Sequence, residues 1–221
     1  MAMSDRRSYG DPCGVARGLN IIGERWALLV VRDLLLGPKR FNDLLGGLPG
    51  VSPNVLSQRL RDLTEHGVVQ RRDLGAPARV RLYELTAWGR QLEPILFELG
   101  RWGSQAPLPA EGELGIDSLL LSIKSGFDPA KGEELHGTYE LRVDADTYLL
   151  EVTDDHVEIT RGATGRAAAT LTTDLDSLRA VCGGLTTMAA AVSSGMLRFH
   201  GDQRPIERLT DLLLAPFSPA Q

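Results

Sequence analysis

The sequence predicts an α+β protein of two domains, with helices and a short hairpin first and an antiparallel sheet with helices after them. Three observations lead to this prediction. Apolar residues recur at helical spacing up to about residue 66, and they alternate as in strands after residue 138. Between the two patterns lies a stretch with two prolines and a glycine, from Gln105 to Gly112. We therefore predict domains over residues 1–106 and 113–221, joined by a linker.

Composition and charge suit a globular protein whose halves differ in their partners. Of the 221 residues, 43% are hydrophobic and 24% are charged, which argues against disorder. Residues 1–106 carry 15 Lys and Arg against 11 Asp and Glu, a net charge of +4, whereas residues 107–221 carry 9 against 18, a net charge of −9. The basic half is the one that we expect to face a polyanion.

Residue types and spacing argue against several classes of protein. Cys13 and Cys182 are the only cysteines, and the four histidines are dispersed, so we expect no disulfide framework, no metal site and no cofactor. We also expect no catalytic residues, since no nucleophile–base pair or phosphate loop is visible. The N-terminus has no apolar run, and the longest uncharged run, residues 180–197, is too polar to span a bilayer. These features predict a cytoplasmic protein without a membrane partner.

Four helices are predicted before the hairpin. The second is apolar nearly all round, which predicts a buried central helix, and Gly37 with Pro38 ends it. Ser52 is the predicted N-cap of the fourth helix, with Pro53 at its first position, where the missing N–H costs nothing. The predicted helices cover residues 13–22, 24–36, 41–45 and 53–66.

The fourth predicted helix has one apolar and one polar face. The apolar stripe consists of Val55, Leu56, Leu60 and Leu63, and the polar face of Asn54, Ser57, Gln58, Arg61 and Asp62. A short turn before a helix with amide, hydroxyl and guanidinium groups is typical of a helix-turn-helix, and the alternative is a solvated helix face. Val55 either packs or contacts a thymine methyl group. Arg59 either forms an ion pair, with Glu65 or with another helix, or contacts a base.

A basic hairpin and a last helix complete the first half. Strands are predicted over residues 68–73 and 79–85, and four arginines lie within eleven residues: Arg71, Arg72, Arg79 and Arg81. A basic hairpin after such a helix acts as a wing that reaches phosphates or the minor groove. The last helix is predicted from Thr86 towards Trp102, and its apolar positions suit a dimer interface: Leu92, Ile95, Leu96 and Leu99.

Five short segments carry a resemblance to a known family. They are Cys13-Gly14-Val15-Ala16-Arg17, Ile22-Gly23-Glu24-Arg25-Trp26, Arg40-Phe41-Asn42-Asp43-Leu44, Ser57-Gln58-Arg59-Leu60-Arg61-Asp62-Leu63 and Tyr83-Glu84-Leu85-Thr86. Their order and spacing over residues 12–103 resemble the HxlR family of bacterial winged-helix transcriptional regulators. The resemblance implies a homodimer built from the first and last helices of the domain, with two recognition helices in successive major grooves of a DNA operator. Arg81 departs from the family pattern, which has an apolar or aromatic residue there.

The chemistry of these side chains assigns candidate DNA contacts. Asn54 or Gln58 suits adenine and Arg61 suits guanine, each with about 1–3 kcal/mol of base discrimination. Candidate phosphate contacts are Lys39, Arg40, Ser52, Ser57, Arg72, Arg79 and Arg81. Cys13 lies on the expected dimer helix, and some members that resemble this chain sense oxidants or electrophiles with a cysteine near this position. The alternative is that Cys13 is an ordinary small buried residue.

The sequence pattern of the second half predicts an antiparallel meander with helices on one side. A helix is expected from Asp117 to Phe127, strands over residues 139–143, 148–152, 157–159, 167–172 and 196–200, and helices after Thr173, near Thr187 and at Pro205. This succession, with the closing pattern from Gly195 to Asp202, resembles the sterol-carrier-protein-type fold. The resemblance implies a pocket for an apolar small molecule or lipid effector, and its candidate lining is Leu120, Ile123, Phe127, Leu185, Met188, Met196 and Phe199. The alternatives are dry helix packing and a protein-interaction cap.

Together these features predict a dimeric, sequence-specific DNA-binding transcriptional regulator whose second domain binds an apolar effector. The alternative is a carrier or sequestering protein for lipids or other apolar ligands, which uses its first half only for dimerisation.

Overall fold

A computed structural model describes residues 8–75, 80–107, 112 and 114–214. The chain divides near residue 110 into two compact units, called unit 1 and unit 2 in chain order. Each unit combines helices with strands, so the predicted α+β class is confirmed. No helix in the described part of the chain is long and apolar enough to cross a membrane.

Unit 1 is built around a buried helix, as its apolar sequence predicts. Its elements are α1 (Gly14–Ile22), α2 (Ala27–Leu35), α3 (Phe41–Gly47), α4 (Pro53–Glu65), β1 (Val69–Asp73), β2 (Arg81–Leu85), α5 (Ala87–Arg90) and α6 (Glu93–Gly103). Val30, Val31 and Leu34 of α2 are fully buried. Helix α2 packs against α4 and β2, so it forms the centre of this unit.

Two helices of unit 1 differ from the prediction for reasons of backbone chemistry. Helix α2 begins at Ala27 and not at Glu24, because Trp26 has a φ of 77°, which a right-handed helix does not accept. The predicted last helix is two helices. Pro94 lacks the N–H that would bond to the carbonyl oxygen of Arg90, so α5 ends there and α6 begins at Glu93.

The buried stripe of α4 is narrower than predicted. Leu56, Leu60 and Leu63 are fully buried, whereas Val55 is 39% exposed. One residue is a rotation of about 100° around a helix, so Val55 lies beside the stripe and not within it. The prediction that Val55 belongs to the stripe is therefore wrong.

Unit 2 is a five-stranded sheet with helices. Its elements are α7 (Ile116–Ser125), a 3₁₀ turn (Pro129–Lys131), α8 (Gly132–Leu135), β3 (Gly137–Val143), β4 (Asp146–Val152), β5 (Val157–Arg161), β6 (Ala169–Thr173), α9 (Leu175–Cys182), α10 (Met188–Ser193), β7 (Arg198–Gly201) and α11 (Gln203–Leu214). The 3₁₀ turn and α8 were not predicted. Alternate residues of the central strands, such as Tyr139, Leu141 and Leu150, are buried together with Leu120 of α7 and Leu209 of α11.

The sheet of unit 2 is mixed and not antiparallel throughout. Its strand order is β5-β4-β3-β6-β7, and β6 runs parallel to β3, with Leu171 opposite Leu141. Only β3, β4 and β5 form the predicted meander. The segment after β5 returns across the sheet, where the Thr164 N–H donates to a carboxylate oxygen of Glu140 at 3.3 Å. Side-chain alternation predicts which face a residue occupies, but it does not predict the neighbouring strand.

A partly buried ion pair attaches α7 to the edge of this sheet. The guanidinium of Arg161 on β5 donates to the carboxylate of Asp117 on α7 and lies 4.9 Å from the ring centre of Tyr148. Burial raises the pKa of the Tyr148 hydroxyl, so the hydroxyl stays protonated at physiological pH. The ion pair therefore joins α7 to β5.

Candidate nucleic-acid interface

Helix α4 is positioned by a cap and presents a polar face to solvent. The Ser52 hydroxyl accepts a hydrogen bond from the Val55 N–H at 3.3 Å, and Pro53 follows it, so α4 begins where the sequence predicts. Its exposed side chains include Asn54, Gln58 and Arg61. These residues lie on the face opposite Leu56 and Leu60, which anchor the helix in the core.

The polar side chains of α4 are connected by hydrogen bonds and ion pairs. Arg61 donates to Gln58 Oε1 at 2.7 Å, and Gln58 Nε2 donates to Asp62 Oδ1 at 2.8 Å. Arg59 lies 3.1 Å from Asp62 Oδ2 and 3.7 Å from Glu24 Oε2. Arg59 therefore forms a structural ion pair, as predicted, and its partners include Asp62 of the same helix and Glu24. Gln58 and Arg61 must exchange these bonds if they are to bind a base.

The hairpin divides its arginines between two faces. Residues paired across an antiparallel ladder lie on the same face. Arg71 is therefore on the face of Tyr83, whose ring centre lies 5.8 Å from its guanidinium, and Arg81 is on that face as well, 3.8 Å from Asp73. Arg72 is on the other face, 3.6 Å from Glu84. The predicted contact Arg79 lies outside the described residues.

Lys39 and Arg40 are neighbours in sequence but differ in burial. Lys39 is only 5% exposed, and its Nζ lies 3.8 Å from Oδ2 of Asp33, which is also buried. Its backbone pairs with that of Tyr83 in both directions, at 2.9 and 2.8 Å. This placement is at odds with the predicted phosphate contact, and we assign Lys39 a structural role. Arg40 is exposed.

Asp33 is a residue whose importance the sequence reasoning missed. It is buried on α2 and forms an ion pair with Arg32 at 2.7 Å. The signal was present, because Asp33 is a carboxylate within a helix that is otherwise apolar on almost every side. A buried carboxylate requires charged or hydrogen-bonding partners, and the following loop supplies Lys39.

Helices α1 and α6 of unit 1 each expose more than one large apolar side chain. Helix α6 has no buried residue, and Ile95, Leu99 and Trp102 are exposed along it. Val15 and Leu19 are exposed on α1. A groove of about 180 Å³ lies between α1, α5 and α6, and its lining includes Ile22, Val68, Trp88, Leu92 and Ile95.

The two cysteines lie in different environments. Cys13 is exposed at the N-terminus of α1. The alternative interpretation, in which Cys13 is an ordinary small buried residue, therefore does not hold within a single chain. Cys182 is buried, and burial raises the pKa of its thiol to about 11, which disfavours the reactive thiolate. Of the two, Cys13 therefore remains the candidate redox residue.

The predicted effector residues of unit 2 are not all on one surface. Leu120 and Ile123 are fully buried, whereas Leu185 is 86% exposed. The others are partly exposed: Phe127, Met188, Met196 and Phe199. Among the described residues no cluster of His, Cys, Asp and Glu is suited to a metal ion.

The helix-turn-helix followed by a two-stranded hairpin defines a winged-helix DNA-binding architecture. The sequence model of the HxlR-like helix-turn-helix family matches residues 21–109. An HTH-type transcriptional regulator of Bacillus subtilis, YvaP, is 40% identical over 90 residues, which are 40% of this chain and 82% of YvaP. The regulator sll1512 of Synechocystis is 38% identical over 97 residues, 43% of this chain and 70% of its own length.

The chain belongs to the HxlR-like helix-turn-helix family, and the predicted class of transcriptional regulator is confirmed. Its relatives are regulators and not enzymes. Among solved structures, the redox regulator HypR in its oxidised form is 31% identical, covers 44% of this chain and all of HypR, and has a TM-score of 0.42. The family match ends at residue 109, and the sterol-carrier-like nature of unit 2 stays a prediction.

Proposed function

We propose that this regulator binds an operator in duplex DNA as a homodimer, with α4 of each protomer in a major groove. The observation that carries the proposal is the exposed polar face of α4, in which Gln58 and Arg61 are held in one hydrogen-bonded chain. These polar groups are at the protein surface, and on DNA they would exchange their bonds to each other and to Asp62 for bonds to base edges. Val55, which is exposed beside them, is available to a thymine methyl group.

The proposed phosphate contacts surround this helix. Ser52 caps the N-terminus of α4, Ser57 lies on α4, and Arg40 precedes α3. Arg72 and Arg81 lie on opposite faces of the hairpin, which suits a wing that meets both strands across a minor groove. The Arg81–Asp73 pair is exposed and the Arg72–Glu84 pair is long, at 3.6 Å, with an exposed guanidinium, so both pairs are weak and phosphate can replace the carboxylates.

The proposed dimer is supported by the exposed apolar side chains of α1 and α6. A helix that presents Ile95, Leu99 and Trp102 to water gains free energy when a second copy covers it. Cys13, which is exposed at the N-terminus of α1, would lie near this interface.

The DNA contacts are tested by selection of bound sequences from random duplex DNA, followed by the Arg61→Ala variant. We expect the unaltered protein to select a pseudopalindrome with half-sites one helical turn apart or a multiple of it. Arg61→Ala is expected to weaken binding by about 1–3 kcal/mol and to relax one base position in each half-site. An unchanged base preference in a folded Arg61→Ala protein would contradict the assignment of α4 as the recognition helix.

For unit 2 we propose that it binds an apolar small molecule or lipid. Support comes from the uncharged stretch of residues 180–197, where Leu185 is exposed and Met188 and Met196 are partly exposed. Flexible methionines adapt to irregular apolar ligands. Native mass spectrometry of the purified protein is expected to show a bound apolar molecule that Leu185→Gln reduces. A protein that is free of any such molecule, and that binds none from a lipid extract, would contradict this part of the proposal.

The carrier alternative is not favoured, because the family match covers the DNA-binding unit and the relatives are transcriptional regulators.

A further inference from the structure

Arg25 lies in a loop whose residues on both sides contact the α4 region. The carboxylate of Glu24 is 3.7 Å from a guanidinium nitrogen of Arg59 on α4. The indole ring of Trp26 lies beside Gly50, at 3.8 Å from the position that a Cβ there would take. Gly50 is two residues before Ser52, the N-cap of α4. These two contacts hold Arg25 beside the start of the proposed recognition helix.

The Arg25 side chain is exposed and oriented by an aromatic ring. Its guanidinium lies 5.1 Å from the ring centre of Trp26. Stacking on a ring fixes the plane of a guanidinium and leaves its N–H groups, which lie in that plane, available to an anion. In the described part of the chain Arg25 has no ion pair with a carboxylate, in contrast to Arg72 and Arg81 of the hairpin.

The backbone of Trp26 supports the same arrangement. Its φ of 77° is an unfavourable conformation for a bulky residue, and such conformations persist where the surrounding structure enforces them. In this conformation the ring lies near Gly50 on one side and near the Arg25 guanidinium on the other.

We propose that Arg25 binds a backbone phosphate at the edge of the groove that α4 enters, and that Trp26 positions it. This inference rests on the proposed function, because it requires α4 to lie in the major groove. Phosphates line the rim of that groove, and an oriented guanidinium binds phosphate through paired N–H donors. A phosphate contact adds affinity and fixes the position of the protein on DNA, but it does not distinguish bases.

The experiment measures binding of full-length protein as a function of salt concentration. The probes are a duplex selected by the unaltered protein and a duplex of the same length and random sequence. The variants are Arg25→Gln, Arg25→Lys and the control Arg198→Gln, which removes the same charge from an exposed position on β7 of unit 2. Thermal melting shows that each variant is folded.

We expect Arg25→Gln to weaken binding to both duplexes by a similar factor. The slope of log K against log salt should fall by about 0.9 for each Arg25, or about 1.8 for a dimer. Arg25→Lys should keep the slope, since the charge is retained, and Arg198→Gln should change neither affinity nor slope. The base preference should be unchanged in all three variants.

Each contrary outcome is distinguishable. If the unaltered protein shows no salt-dependent binding to either duplex, the proposed function fails. If that protein binds but Arg25→Gln keeps its slope, or changes the preferred bases, the proposed function stands and the phosphate contact of Arg25 is wrong. If Arg25→Gln does not fold, Arg25→Ala replaces it as the uncharged variant, and an unchanged slope in that folded protein contradicts the proposal in the same way.

Discussion

At the scale of single residues, burial separates charged side chains that stabilise the fold from those that can meet a ligand. Lys39 and Arg40 both precede α3 and looked equivalent in the sequence. Lys39 points inward to Asp33, whereas Arg40 is exposed. The first is expected to control stability and the second to control affinity for DNA.

Replacement of Lys39 by alanine tests this distinction. Lys39→Ala removes one cationic partner of the buried Asp33 carboxylate, and loss of one member of a buried pair costs about 3–5 kcal/mol when the remaining charge has no other partner. Because Arg32 still pairs with Asp33, we expect a smaller loss of stability in urea denaturation, about 1–3 kcal/mol. For protein that is still folded, the salt dependence of DNA binding should stay that of the unaltered protein. A stable Lys39→Ala protein with a smaller salt slope would instead indicate the phosphate contact that the sequence predicted.

Single residues also show which features can be predicted from the sequence: burial on a helix face can be predicted, whereas side-chain pairing cannot. Leu56, Leu60 and Leu63 were predicted to be buried, because helical spacing alone determines their common face. Asp33 was missed, since the pairing of a buried carboxylate depends on a loop that periodicity does not describe. For the candidate site, the sequence predicted the cap at Ser52 but not the side-chain bonds of Gln58, which depend on rotamers.

At the scale of secondary-structure elements, close approach of backbones fixes the position of α5. A Cβ at Gly89 would overlap the carbonyl group of Val68, which precedes β1, and backbone atoms cannot rotate away. Gly89→Ala is therefore expected to reduce the free energy of unfolding by about 1–3 kcal/mol, as overpacking does. The control is Gly46→Ala on α3, where among the described residues no atom beyond the helix's own backbone and the neighbouring residues lies within 4 Å of the new Cβ. It should be neutral or stabilising by up to about 1 kcal/mol. Equal effects of the two variants in urea denaturation would contradict this role of Gly89.

Helix α9 in unit 2 depends on a carboxylate cap. Asp174 accepts hydrogen bonds from the backbone N–H and the hydroxyl of Ser177, both at 2.8 Å, and these bonds lower the pKa of its carboxyl below the ordinary value of 3.8. A lowered pKa in the folded state means that the stabilisation is complete above the unfolded pKa and is lost as the pH falls through the folded pKa.

Asp174→Ala is accordingly expected to lower stability by about 1 kcal/mol at neutral pH. The difference from the unaltered protein should shrink as the pH falls below about 4, which denaturation at several pH values measures. The control is Asp176→Ala in the same turn, whose exposed ion pair with Arg179 should contribute less. A difference for Asp174→Ala that is constant down to pH 2 would exclude the charged cap as its cause.

The sequence pattern predicted individual strands but not their order in the sheet. The alternation of Tyr139, Leu141 and Val143 predicted β3 and its buried face. It did not predict that β6 lies parallel beside β3, because that depends on the path of residues 162–168, which contain no periodic pattern. The same limit applies to the break before α6, although there Pro94 provided a local signal.

At the scale of the whole molecule, the proposed function needs two copies of α4 at once. Contacts from one short helix and one wing give modest affinity, whereas two linked half-sites combine their binding free energies. Dimerisation through α6 would therefore control DNA affinity even though its apolar residues do not touch DNA. This relation makes oligomeric state the decisive property of the molecule.

Leu99→Glu on α6 and Val192→Glu on α10 provide a matched test, because both residues are 43% exposed in the single chain. A carboxylate within an apolar interface is left desolvated and unpaired, so Leu99→Glu should raise the dimer dissociation constant by at least about thirtyfold, the equivalent of about 2 kcal/mol. Operator affinity should fall with it, whereas Val192→Glu should leave both unchanged. Analytical ultracentrifugation and DNA titration measure the two effects. If Val192→Glu dissociates the dimer and Leu99→Glu does not, the interface lies on unit 2, and the spacing of the two α4 helices must be set from there.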